Sequence, residues 1–98
     1  MELFEKIYKD VEDAVTSILG IGCDDWRKCK CEDCVLIRKM IVKTLQKIGF
    51  NRSQINQYSG ISKTTIGVYL SDYSDSLILS RIRAEIKRCL SEKGISYN

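Results

Sequence analysis

Two groups of residues in this chain combine reactive or hydrogen-bonding side chains at close spacing. The first is a set of four thiols within twelve residues, Cys23, Cys29, Cys31 and Cys34. Four thiolates can close a tetrahedral zinc site, and Cys31-Glu-Asp-Cys34 has the C-x-x-C spacing of a zinc knuckle. The other half of the set is C-x5-C, with Cys29 and Cys31 only two apart, whereas structural sites usually pair two separated knuckles. The spacing therefore favours plain thiols, with zinc on Cys23, Cys29, Cys31 and Cys34 as the alternative. Cys34 also fits a core position, since an unligated cysteine packs as a small apolar residue. A fifth, Cys89, is expected in the core or at its boundary.

The second group is the run Lys63-Thr64-Thr65. A lysine ammonium can donate to O6 or N7 of guanine, and a threonine offers a hydroxyl together with a methyl that can lie against the methyl of thymine. Catalytic chemistry is poorly provided for. The chain has no histidine, which removes the usual general base, the Ser-His and Cys-His couples and the mixed Cys/His zinc sites. Glu12-Asp13, Asp24-Asp25 and Glu32-Asp33 are adjacent pairs, whose side chains diverge by about 100° on a helix. No Walker-type phosphate loop is present. These absences predict a protein that is not an enzyme and needs no cofactor beyond the candidate zinc.

The Lys-Thr-Thr run sits in Arg52 to Leu70, a stretch that reads as two short helices joined at Ser59-Gly60-Ile61. Ile55, Tyr58, Ile61, Ile66 and Leu70 are the apolar pins expected to hold the two helices at a fixed angle. This is the pattern of a helix-turn-helix, which presents its second helix to the major groove of duplex DNA. Gly60 stands where a left-handed residue is needed, and Ser62 is the expected cap of the second helix. Asn51 and Gln54 form a capping-box pair that starts the first. Lys63, Thr64 and Thr65 then project from the tip of the recognition helix as base contacts. Ser62, Arg52, Ser53 and Gln54 are placed for the DNA backbone, and Arg27, Lys28 and Lys30 for phosphates or an adjacent groove.

Three longer helices frame that unit. The first is expected over about Leu3 to Leu19, with an apolar stripe of Leu3, Phe4, Ile7, Tyr8, Val11, Ala14, Val15, Ile18 and Leu19. Residues 21–33 form a cysteine-rich basic loop without steady period. The second long helix spans about Glu32 to Ile48, burying Cys34, Ile37, Ile41, Leu45 and Ile48 and turning Arg38, Lys39, Lys43 and Lys47 away, with Lys47 and Gly49 marking its end. After a polar hinge from Ser71 to Asp75, the last helix runs to about Glu92. It carries Leu79, Ile82, Ile86 and Leu90 inward and Arg81, Arg83, Lys87 and Arg88 outward. The expectation is a single all-α domain of about five helices.

Charge is unevenly spread. Met1 to Asp25 holds seven acids and two bases, leaving six acids and fourteen bases for the rest of a chain whose net charge is +3. A basic body suits a partner rich in phosphate, while the acidic first helix faces elsewhere and could dock another protein. No run approaches the roughly 18 apolar residues of a membrane span, and the N-terminus is unlike a secretion signal. The expected setting is cytoplasmic, at the nucleoid, with reduced cysteines.

With these segments in order, the chain resembles the C-terminal DNA-binding domain of the bacterial replication initiator DnaA. In that family a helix, a basic loop and a long helix lead into a helix-turn-helix whose recognition helix opens with Asp-His-Thr-Thr-Val. The corresponding run here is Ser62-Lys63-Thr64-Thr65-Ile66. Ile55 to Gly60 is similar to the family's Ile-Gly-x-x-Phe-Gly, one residue shorter. Ile18 to Asp25 and Val35 to Leu45, with Arg38 at the family's arginine, follow the upstream helices. Ser62-Lys63 replaces Asp-His, Ile61 replaces an arginine, and Trp26-Arg27-Lys28-Cys29-Lys30-Cys31 replaces the basic loop. The resemblance implies a TrpR-like helical fold and a sequence-specific reader of double-stranded DNA in replication or transcription control. Its free-standing form would suit a phage or mobile element. The alternatives are a repressor-type regulator, a protein-docking module, and a regulator whose cysteine loop senses metal or oxidant.

Overall fold

Apolar residues recurring every three or four positions dictate helices throughout, and five are found among the described residues of the computed structural model: α1 (Leu3–Leu19), α2 (Glu32–Ile48), α3 (Arg52–Ser59), α4 (Lys63–Ser71) and α5 (Leu77–Glu92). The structure describes residues 3–20, 31–71 and 77–95, with the backbone alone for Asp33 and Ile78. The fold is all-α, as expected, and the bounds of α1 and α2 coincide with the predicted ones. The hinge from 72 to 76, the predicted start of the last helix at Asp75 and loop residues 21–30 lie outside the described residues.

The helices stack around α2. It packs on α1, α3 and α4, while α5 lies against α1. Contact on several sides explains why α2 is buried nearly all round. Cys34, Ile37, Met40, Ile41, Val42 and Leu45 are sealed in the core, together with Thr44 and the guanidinium-bearing Arg38. A single inward stripe was expected with Arg38 turned away; instead Arg38 is 9 % exposed. A charge at such depth is tolerated only with hydrogen-bond partners, and its Nε donates to the Tyr69 hydroxyl of α4 at 3.2 Å. Among the described residues no buried side-chain nitrogen or oxygen lacks a partner.

α1 buries Tyr8, Val11, Ala14 and Val15. Its expected stripe begins too early, because Leu3 stands 69 % exposed and Phe4 lies at the rim. The ion pairs Lys6–Asp10 and Lys9–Glu5, both 3.9 Å and solvent-facing, add at most a few tenths of a kcal/mol each. α5 seats Ile86 and Leu90 in the core. Its end is tied to α1 by Lys93, 4.0 Å from Asp10.

The joint between α1 and the α3–α4 unit is aromatic. Phe50 lies between α2 and α3, only 3 % exposed, its amide donating to the Leu45 carbonyl at 3.0 Å. Its ring meets Phe4 edge-on at 4.9 Å and Tyr58 at 6.0 Å, and Tyr58 in turn stacks on Tyr8 at 6.0 Å. Such pairs add roughly 0.5–1.5 kcal/mol each to the burial of the rings themselves. The Phe50→Ala variant should therefore lose about 3 kcal/mol of stability, read as a lower urea midpoint, with Phe50→Leu much less affected.

Candidate nucleic-acid interface

Orientation of α4 is set by the three residues that separate it from α3. Gly60 takes the left-handed conformation (φ 76°), its amide donating to the Asn56 carbonyl. A Cβ there would cost about 1 kcal/mol, so the predicted glycine role holds. Ile61 follows with its side chain buried, which would strand its peptide groups but for two side chains of α3. The Ser59 hydroxyl accepts from the Ile61 amide at 3.1 Å and donates to the Ile55 carbonyl at 2.5 Å. The Asn56 side-chain amide donates to the Ile61 carbonyl at 2.8 Å. In the sequence Ser59 stands out as part of the turn without this role and Asn56 not at all, although Asn and Ser within a turn of a glycine are the types that bond nearby backbone.

Ser62 caps α4 as expected. Its hydroxyl accepts from the Thr65 amide at 3.2 Å and donates to the Thr65 hydroxyl at 2.8 Å, and its carbonyl takes the first helical bond from Ile66 at 2.9 Å. Upstream, the capping box is complete: the Gln54 amide donates to the Asn51 side chain at 2.8 Å, and the Asn51 amide to the Gln54 side chain at 2.9 Å. Ile66 is fully buried and Tyr69 is held by Arg38. α4 is thus pinned at its start by the turn and in its second half by α2.

What remains in solvent is one face. Lys63, Thr64, Val68 and Ser71 are exposed, with Gly67 half-exposed between them. The Arg52 guanidinium of α3 lies over this face, 3.5 to 3.8 Å from where a Cβ of Gly67 would stand. Residues 34–71, covering nearly all of α2 and both following helices, hold six bases and no Asp or Glu, and the next acid is Asp72, directly after the helix. A helix face with cations beside it and no carboxylate on its own helix attracts polyanions.

The structure brings Lys63, Thr64 and Arg52 together at this surface. Ser53 is exposed at the start of α3, on the same unit. Thr65 is half-buried with its hydroxyl engaged by Ser62, and the Gln54 side chain is likewise engaged at the cap. Both retain less reach than the sequence suggests. Gly67, Val68 and Ser71 were missed, though each follows from Lys63 and Thr64 by helical spacing. Arg27, Lys28 and Lys30 lie outside the described residues, as do Cys23 and Cys29. Of the other two cysteines, Cys34 packs in the core and Cys31 is exposed at the start of α2. Among the described residues no helix is long and apolar enough to cross a membrane.

Replacing Asn56 by Ala removes the donor to the Ile61 carbonyl and should cost about 1–2 kcal/mol. Gly60→Ala should cost about 1 kcal/mol. Equilibrium urea unfolding of both variants checks these values, with m expected unchanged. Comparisons of the chain with protein-family models, with curated proteins and with solved structures gave no match.

Proposed function

We propose that this protein binds double-stranded DNA without catalysing a reaction on it, laying the exposed face of α4 in the major groove. The observation that carries this reading is the acid-free helix face with Lys63 and Thr64 at its tip and the Arg52 guanidinium alongside. Lys63 donates to the acceptor edge of guanine, and Thr64 offers both a hydroxyl and a methyl to base edges. Thr65 contributes through its methyl and by holding the cap. Arg52 and Ser53 take phosphates on one flank, Ser62 a phosphate at the helix tip. Arg27, Lys28 and Lys30 serve phosphates or a neighbouring groove from the basic loop. The order of helices and the Thr64-Thr65-Ile66 run support a reader of the kind found at the C-terminus of the replication initiator DnaA, acting in replication or transcription control.

Fluorescence anisotropy with labelled duplexes at rising salt tests this. Each phosphate neutralised contributes about −0.9 to the slope of log K against log salt. Arg52→Ala should weaken all duplexes alike and reduce the magnitude of that slope by about one. Thr64→Ala should cost about 1 kcal/mol or more on a sequence selected from random duplexes and little on an unselected one. Equal losses on both sequences would remove Thr64 from the base contacts, and affinity independent of salt would remove DNA as the partner.

A further inference from the structure

Val68 is the most exposed residue type mismatch on α4: an aliphatic side chain at 62 % exposure on a helix that buries Ile66 completely. Single exposed apolar residues are common on protein surfaces, so exposure alone decides nothing, and position decides. Val68 lies one turn beyond Thr64 on the same face. It is flanked by Gly67, which has no side chain, and the Arg52 guanidinium rests over that glycine at 3.5 to 3.8 Å from the missing Cβ. Four residues of helix rise about 6 Å, close to two base-pair steps of about 3.4 Å. A valine can neither donate nor accept a hydrogen bond. On the base edges of the major groove, its one complementary feature is the C5 methyl group of a pyrimidine.

Resting on the DNA reading above, we propose that Val68 reads the C5 methyl of thymine, paired with the Thr64 methyl about two base steps away. The preferred site then carries thymine, or equally 5-methylcytosine, opposite Val68. Gly67 leaves room for the Arg52 guanidinium beside the valine, and Arg52 supplies the phosphate contact that holds the helix at that depth. Specificity at this position comes from burying a methyl group, whereas at Lys63 it comes from a hydrogen bond.

The test uses two duplexes of identical A·T-rich sequence, one with thymine and one with deoxyuridine throughout, which pair alike and differ in the methyl. The full chain should bind the thymine duplex at least about four-fold more tightly, the factor expected for burying one methyl group. In Val68→Ala that ratio should fall by about four-fold, with the circular dichroism spectrum and salt slope unchanged because Val68 lies outside the core. Equal affinity of the wild-type chain for the two duplexes overturns the proposal while leaving DNA binding standing. So does a Val68→Ala variant that keeps the full preference. Absence of salt-dependent binding to either duplex overturns the DNA reading and this proposal together.

Discussion

The geometry of this protein depends on how one buried peptide is satisfied. Ile61 must enter the core to hold α3 and α4 against each other, and burying a residue between two helices strands its N–H and C=O away from water. Ser59 and Asn56 answer one group each, and the left-handed Gly60 makes the reversal that lets them reach. Both peptide groups of Ile61 and the Gly60 amide are therefore satisfied by α3 itself. α4 leaves the turn in one direction, with its cap on Ser62 and its tip in solvent.

α2 supplies the second constraint. It packs against α1, α3 and α4, and its buried Arg38 finds a partner on α4. The burial of Ile66 and the bond from Arg38 to the Tyr69 hydroxyl turn that side of α4 inward, leaving Thr64 and Val68 facing outward. The same layering separates charge. α1 carries four acids, Glu5, Asp10, Glu12 and Asp13, and the stretch from 34 to 71 carries none. A polyanion approaching α4 meets Lys63 and Arg52 on two helices that carry no carboxylate of their own.

Much of this was legible in the sequence because local signals agreed. Asn51 with Gln54, Gly60, and Ser62 before an apolar pin each mark a helix end by a mechanism that needs no tertiary partner, so the ends of α3 and the start of α4 could be read directly. The burial of Arg38 could not, since periodicity assigns a basic residue outward unless a partner such as Tyr69, 31 positions away, is known. Phe50 was likewise silent, a lone aromatic between helices whose neighbours Phe4 and Tyr58 come together only in the fold. In α1 the opposite error arises: Leu3 fits the stripe but runs past the end of the surface it would cover. At the interface itself, Lys63 and Thr64 were found by type, and Val68 was missed because an exposed valine looks like a core residue until its helix is oriented.

The most direct test is to map amide chemical shifts of the labelled protein as an unlabelled duplex is added. Shifts are expected to concentrate on Lys63, Thr64, Gly67 and Val68 of α4 and on Arg52 and Ser53 of α3, with the surface of α5 unchanged. Shifts centred on α5 or on α1, with α4 silent, would contradict that expectation.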